Sequence, residues 1–372
     1  MRFPAYPTSA RQFAWRLTLL APVVTLLFLT GTASPARAQT DIDTDATITE
    51  PLPGVVRVGA NTDSSVLITV LSGGAIDLLE CHNNALVRSR DGGTLGYVSL
   101  SGQSRLEVGP NSYVGQVDAS AGSYVSLQNV NFGEVHAVGQ STVDIARLSE
   151  RVGGGDSTWV DVRENATVRL FSGGVTTFWI GSDAQDVPSP DPTLLARAYV
   201  YGGVLDDVQF ASLSEGFIFG GRFVGPMMVS GSLNIFGGTI QGYGLVSGSG
   251  TINISGGIFG SRLPTVGAGA TVNLFGYDLA LTNPQPFSVT GGGAFGGLES
   301  ETYWPTTGTV YDVSGRLADG TPLDGRRIYV GTGGRVNLGA PATVPETGAF
   351  VLYSLGAATM TASTLRRRYL AS

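Results

Sequence analysis

Lysine does not occur in this chain of 372 residues, so all 22 basic side chains are arginine. The single cysteine, Cys81, excludes an internal disulfide, and stability has to come from burial or from a repetitive hydrogen-bonded core. Free cysteine packs most often as a small apolar residue, and Cys81 is expected to do the same. A reactive thiol or a bridge between two chains is the other reading. Only two histidines are present, His82 and His136, and neither stands in a spacing that suggests a nucleophile triad or a metal site. Helical patterning is almost missing from 55 to 340, where Ser-Gly-Gly strings would break a helix again and again.

Basic charge is scarce as well. Setting aside 1–38 and 344–372 removes seven arginines and Glu346, which leaves 15 basic and 28 acidic residues, a balance of −13 against −7 for the whole chain. Such a surface repels nucleic acid and anionic lipid, so neither is an expected partner. Glycine is abundant, with 54 residues, yet apolar residues reach 42% and keep the chain outside a disordered composition.

Long apolar runs occur only near the two ends. Arg2, Arg11 and Arg16 lead into a stretch from Leu17 to Leu29 that Pro22 interrupts, and Ala36 and Ala38 form an A-x-A site. This is the pattern of a secretory signal peptide over 1–38, with Gln39 as the mature N-terminus. An N-terminal anchor is the other reading, for which about 13 residues is short against a hydrocarbon core of ~30 Å.

The second run extends from Ala349 to Leu365, diluted by Ser354, Thr359, Thr361, Ser363 and Thr364. At about 17 residues it sits at the lower limit for a membrane span. Val344, Pro345 and Glu346 precede it. Arg366, Arg367 and Arg368 follow it, on the side that the positive-inside rule keeps cytoplasmic. Over 344–372 the chain resembles the PEP-CTERM sorting signal of Gram-negative bacteria, with Thr347 where a second proline is usual. The resemblance implies an exosortase-type processing enzyme as partner, and an inner membrane that the tail meets transiently or as an anchor. It also implies association with the cell surface or with exopolysaccharide. A plain C-terminal anchor is the alternative, and export is expected either way.

Between the ends the chain repeats itself. Leu233-Asn234-Ile235-Phe236-Gly237-Gly238 recurs as Ile252-Asn253-Ile254-Ser255-Gly256-Gly257 and again as Val272-Asn273-Leu274-Phe275-Gly276. Val200-Tyr201-Gly202-Gly203 and Ile218-Phe219-Gly220-Gly221 align on the glycine pairs. Leu106-Glu107-Val108, Val125-Ser126-Leu127, Val143-Asp144-Ile145 and Val168-Arg169-Leu170 carry the apolar-polar-apolar triplet further back. A fixed period of about 17–20 residues marks a solenoid or an array. Each triplet reads as a short strand with one buried face, and each glycine pair permits the bend at a corner. A leucine-rich repeat would need a dense leucine signature, and a propeller a period near 40 residues. The expected fold is therefore all-β, a parallel β-helix of roughly eleven coils spaced ~4.8 Å apart.

The expected organisation is a leader and cap over 39–58, the β-helix over 59–280 and a small β cap over 281–343. Within that cap 281–307 reads as a loop, and Gly308 to Leu323 as a hairpin region with its turn at Asp319-Gly320.

Many parallel β-helices cleave polysaccharides, so carboxylate pairs carry weight. Asp206 with Asp207, and Asp161 with Arg163 and Glu164, are the candidates; an ordinary solvated ion pair is the competing reading. The polygalacturonase-type pattern of paired aspartates, Gly-His-Gly and Arg-x-Lys is missing. Asp41, Asp43 and Asp45 lack the glycine and glutamate of a calcium loop and read as a flexible acidic leader. The glycine pairs precede no helix and form no phosphate loop. Neither a cofactor nor a metal is expected.

Binding residues stand in columns. Tyr201, Phe219, Phe236 and Phe275 share one slot, with Ser255 in line, and alternation turns that slot outward, where aromatic faces suit sugar rings. An internal stacking ladder, or a column covered by the cap, is the competing reading. Asn234, Asn253 and Asn273 form a neighbouring outward column that would offer amides to a ligand or bond to itself. A polar, proline-rich insertion at 181–193, with Trp159 and Trp179 in the coils before it, is a second place for a partner. The expectation is an exported, non-enzymatic β-helix that scaffolds or adheres to extracellular polysaccharide, with a pectate-lyase-like enzyme as the alternative.

Overall fold

The structure, a computed structural model, describes residues 39–62, 65–146, 158–182, 194–288 and 305–340. The expected signal peptide, most of the 181–193 insertion and the whole of the expected sorting tail, including Val344, Pro345, Glu346, Arg366, Arg367 and Arg368, lie outside them. What is described from Thr40 onward belongs to one compact unit.

That unit is a parallel β-solenoid of about 11 turns, with no helix among the described residues. One coil shows how the sequence builds it. In Arg105–Val108, Leu106 and Val108 are buried while Arg105 and Glu107 face out, the two-residue alternation of a half-buried strand. In Thr94–Leu100 the buried positions are Leu95, Val98 and Leu100. Two outward residues, Gly96 and Tyr97, separate the first pair, so the strand bends there and each coil has three straight segments. At the bend glycines stack: a Cβ on Gly115 would lie 2.7 Å from the carbonyl oxygen of Gly96.

Successive coils pair in parallel and in register. Leu106 sits between Val87 and Val125, Val143 follows Val125, and Val168 follows Val143. Like residues thereby stack along the whole core. One inward corner takes only small side chains through Ala85, Ser104, Ser123, Ser141, Ala166, Ala196 and Ser214, all fully or almost fully buried. Cys81 is buried at 1% exposure and packs as an apolar residue; burial pushes its thiol up to about 12.

The glycine pairs act in two different ways. Gly203, Gly221, Gly238 and Gly257 all adopt a positive φ between 89° and 105°, which turns the corner. Their predecessors let the coils approach: a Cβ on Gly220 would meet the Tyr201 carbonyl oxygen at 2.4 Å, and one on Gly237 the Phe219 oxygen at 2.6 Å. Later in the chain the long strand splits, into Arg222–Phe223 and Met227–Val229, because Gly225-Pro226 interrupts its donors.

Both expected caps differ from what is observed. Ala46–Ile48 pairs with Leu67–Val70 and Pro51–Val58 pairs with Ala75–Cys81, both in parallel, so residues 46–58 are already a coil. The acidic leader is not loose. Asp43 accepts from the backbone and side chain of Asn61 at 3.3 and 3.0 Å, and Asp45 accepts from the Leu67 N–H at 2.9 Å. These carboxylates satisfy backbone donors at the first corner, which is why they cluster there.

At the other end the loop expected from 281 is strand as far as 288. Thr271–Ser288 runs for 18 residues and pairs antiparallel with Thr307–Leu317. Pro284 and Pro286 made it read as loop, but the register shifts between Thr282 and Gln285, and proline is tolerated beside such an irregularity. The Asp319-Gly320 turn closes with Leu317 N–H donating to Thr321 and Gly320 N–H to Leu317, each at 2.9 Å. The chain then rejoins the solenoid. Val330 bridges to Val266, and Arg335–Gly339 pairs in parallel with Thr271–Phe275. The repeat resumes where a separate cap was expected.

Candidate functional site

The outward face of the short strands carries one continuous column. In order it holds Arg88, Glu107, Ser126, Asp144, Arg169, Tyr199, Phe217, Asn234, Asn253, Asn273 and Asn337, each in register with the next. The first part is ionic. Arg88 meets Glu107 at 2.8 Å, and Arg169 grips Asp144 with two hydrogen bonds of 2.6 and 2.8 Å while Tyr124 donates to the same carboxylate at 2.7 Å. Desolvation first, and the Asp144 contact second, push the Tyr124 phenol up to about 12.

The last part is an amide ladder. Nδ2 of Asn253 donates to Oδ1 of Asn234 at 2.9 Å, Asn273 to Asn253 at 2.7 Å and Asn337 to Asn273 at 2.8 Å. The three expected asparagines are therefore brought together and bond to one another. Each inner amide spends one donor and one acceptor on the ladder, so the second N–H and the other oxygen lone pair point to its flank.

Beside it runs the aromatic column. Tyr201 stacks on Phe219 and Phe219 on Phe236, with centroids 5.2 Å apart and planes 8° and 11° from parallel. Phe171, which the sequence reading left out, extends the stack beyond Tyr201 at 5.2 Å and 9°. It follows Val168-Arg169-Leu170 in the same slot as the others, and that position was the available signal. Ser255 ends the run, and Phe275 stands past the gap without stacking on Phe236. The gap is taken by the Asp319 turn, whose carboxylate accepts from the Gly257 N–H at 2.9 Å.

Stacking decides what this column offers. The rings use their faces on one another, so the inner ones present edges. The ends of the stack, Phe171 at 42% and Phe236 at 41% exposure, are the open positions. A shorter stack, Tyr199 on Phe217 at 5.0 Å and 8°, runs two residues away on the same strands. Together these groups make a surface of ring edges over the coils of Phe171 to Phe236 and of amides over those of Asn234 to Asn337, the two runs meeting in the coil of Asn234 and Phe236.

The carboxylate candidates lie on the long-strand side. Asp161, 7% exposed, pairs with Arg163 at 3.0 Å, and His136 stands between Asp161 at 3.6 Å and Glu134 at 3.4 Å. Trp159 and Trp179 occupy the neighbouring register positions, Trp159 at 42% exposure. Partial desolvation, and secondly the charge of Asp206, raise the Asp207 carboxyl. His82 contacts Ser101 at 3.3 Å and Glu80 at 3.8 Å. Among the described residues no group of three or more histidines, cysteines and carboxylates is placed to hold a metal ion.

Asn337 is the other residue the sequence reading missed. Arg335-Val336-Asn337-Leu338 repeats Thr271-Val272-Asn273-Leu274 after a gap of 64 residues, far outside the period. Comparisons of the chain with protein-family models, with curated proteins and with solved structures find no match.

Proposed function

We propose that this chain is an exported, surface-associated β-helix that scaffolds or adheres to extracellular polysaccharide without processing it. The observation that supports this most is the outward face just described, where a stack of rings from Phe171 to Phe236 is followed by an amide ladder from Asn234 to Asn337, each at the coil spacing. A polysaccharide chain lying along such a face meets a run of ring edges and then a run of amides, each repeating coil by coil, which suits a repetitive polymer better than a small molecule. The ends of the sequence support the address: an export signal over 1–38, and a tail over 344–372 that resembles PEP-CTERM signals and would be handled by an exosortase-type enzyme. Asp161, Arg163, Asp206 and Asp207 are the residues on which a lyase-like reading would rest, and Asp161 and Arg163 are already engaged with each other.

The test is retention of the protein on a panel of acidic and neutral polysaccharides, with release of reducing or unsaturated ends followed in the same tubes. Retention without release, weakened by Phe236→Ala or Phe171→Ala, is the expected result. Turnover of any polymer would overturn this reading and make the four charged residues the first to replace.

A further inference from the structure

Trp159 carries an indole whose face is open. It begins the strand Trp159–Val162 and is 42% exposed. Its register neighbours are Glu134 on the preceding coil and Thr177 on the following one. Neither is aromatic, so among the described residues no ring stacks on Trp159. Tyr201, Phe219 and Phe236 spend their faces on one another; Trp159 keeps its own for a ligand. Trp179 stands diagonally from it, two residues beyond Thr177, and is half-buried.

Next in the same column comes Asp207, in register with Thr177 and exposed. Trp159 and Asp207 are thus two coils apart, about 10 Å at the spacing of neighbouring strands. The side chain of Thr177 between them is short, and the gap above it admits one pyranose ring.

Acidic charge flanks the indole along the column. The Glu134 side chain is 49% exposed and has His136 beside it at 3.4 Å. Asp206 and Asp207 have no hydrogen-bond or ion-pair partner among the described residues. The arginines around them are committed elsewhere: Arg163 to Asp161 at 3.0 Å, Arg169 to Asp144 at 2.6 Å and Arg197 to Glu215 at 3.3 Å. Arg222 lies beside Val204, at the start of the strand that carries Asp207. Asp161 is therefore neutralised, whereas Asp206 and Asp207 are not. Desolvation first, and the Asp206 charge second, raise the Asp207 carboxyl, and a cation placed beside the pair offsets the second cause. An aromatic face with carboxylates at its rim suits a cation carried on an apolar body. A protonated amino sugar has both parts, the carbon face of its ring for the indole and an ammonium for the acids.

We propose that this surface binds polysaccharide through a hexosamine unit whose amine is free and charged. The proposal rests on the polysaccharide reading above and gives it a second contact, on the long-strand side, with a preference for cationic polymer. The sugar ring lies on Trp159 above Thr177, and its ammonium meets Asp207, with Asp206 adding to the attraction.

The experiment is calorimetric titration of the full chain with a hexosamine trimer, its N-acetylated form, the neutral hexose trimer of the same linkage, and trilysine. The amino trimer is expected to bind about tenfold more tightly than the other three, since a charge-assisted hydrogen bond contributes on that scale. Trp159→Ala should weaken it by about tenfold, and Trp159→Phe should recover part. Asp207→Asn should close most of the gap between the amino and N-acetylated trimers. Melting temperatures are expected to stay unchanged, because both side chains stand at the surface. Equal binding of the N-acetylated or neutral trimer, trilysine binding as tight as the amino trimer, or unaltered binding in both Trp159→Ala and Asp207→Asn would overturn the proposal. Trimer binding lost in the variants, with no polymer retained by the parent chain, would support the site and sink the wider function. Polymer retention without any trimer binding would do the reverse.

Discussion

Nδ2 of Asn337 donates to Oδ1 of Asn273 at 2.8 Å across 64 residues of chain. The bond shows that residues 276–325 are an insertion between two stacked coils, and that the last described coil is keyed to its neighbour by the same amide contact as the coils before it. Asn253→Ala removes the middle of the ladder and strands one acceptor on Asn234 and one donor on Asn273. A loss of about 1–2 kcal/mol is expected. Asn337→Ala strands only one partner and should cost less. Denaturant unfolding of both variants checks the order, and an equal or reversed order would show that the amides are not acting as a chain.

The buried hydroxyls of Ser104, Ser123 and Ser141 have no hydrogen-bond partner in their corner column. Alanine fits the same space, as Ala85 and Ala166 already show. Ser123→Ala and Ser141→Ala are therefore expected to raise stability by about 1 kcal/mol each, by removing an unsatisfied polar group. A fall in the melting temperature of either variant would mean that these hydroxyls bond to water in the corner.

Gly216 makes room for an aromatic ring. A Cβ there would lie 2.3 Å from Cε1 of Phe210 and 2.6 Å from Cδ1 of Leu233. Gly216→Ala should destabilise by about 1–3 kcal/mol through overpacking. Combining it with Phe210→Leu should cost less than the two single changes added together. Strict additivity in that double-mutant cycle would place the strain elsewhere.

High pH is expected to unfold this protein from three points. Burial pushes the Cys81 thiol up to about 12; the Asp118 contact does the same for Tyr97, and desolvation with Asp144 for Tyr124. All three are acids whose folded-state values lie above their unfolded ones. Their protonated forms are stabilised in the fold, so the contribution is complete below about pH 8.5–10 and is lost as pH climbs toward 12. Melting temperatures measured from pH 8 to 12 should fall through that window, and Asp144→Ala should lower the Tyr124 titration seen by ultraviolet absorbance. A flat profile would refute the linkage.

Most of the architecture was legible because a parallel solenoid writes its period into the sequence. Triplets such as Leu106-Glu107-Val108 and Val125-Ser126-Leu127 stack in register, so one coil's pattern has to fit the next. The glycine pairs were legible as corners for the positive φ of the second residue, but not for the close carbonyl approach at the first. The resumption at Arg326 was hidden because fifty residues of sequence lie between Phe275 and Arg326. The strand through Pro284 and Pro286 was hidden because local composition says nothing of a distant antiparallel partner. For the candidate face, alternation gave the direction of Tyr201, Phe219 and Phe236 but not their separation. Whether such rings lie open to a ligand or against each other is set by the coil spacing, and at 5.2 Å they stack. The β-bridge between Arg262 and Arg327 had no sequence signal, since the two residues meet only when the chain returns.

The parallel ladder has a mechanical side. Hydrogen bonds between coils lie along the direction in which the coils stack, and each coil joins the next through one peptide strand. Tension along that direction opens rungs one after another, as in a zipper, because no covalent link runs across several coils. A coil such as the one from Asn234 to Asn253 holds 19 residues. At ~3.4 Å per residue its release would pay out about 65 Å of slack. A tether built this way yields in short, repeated steps under load, and the remaining coils stay folded while it lengthens.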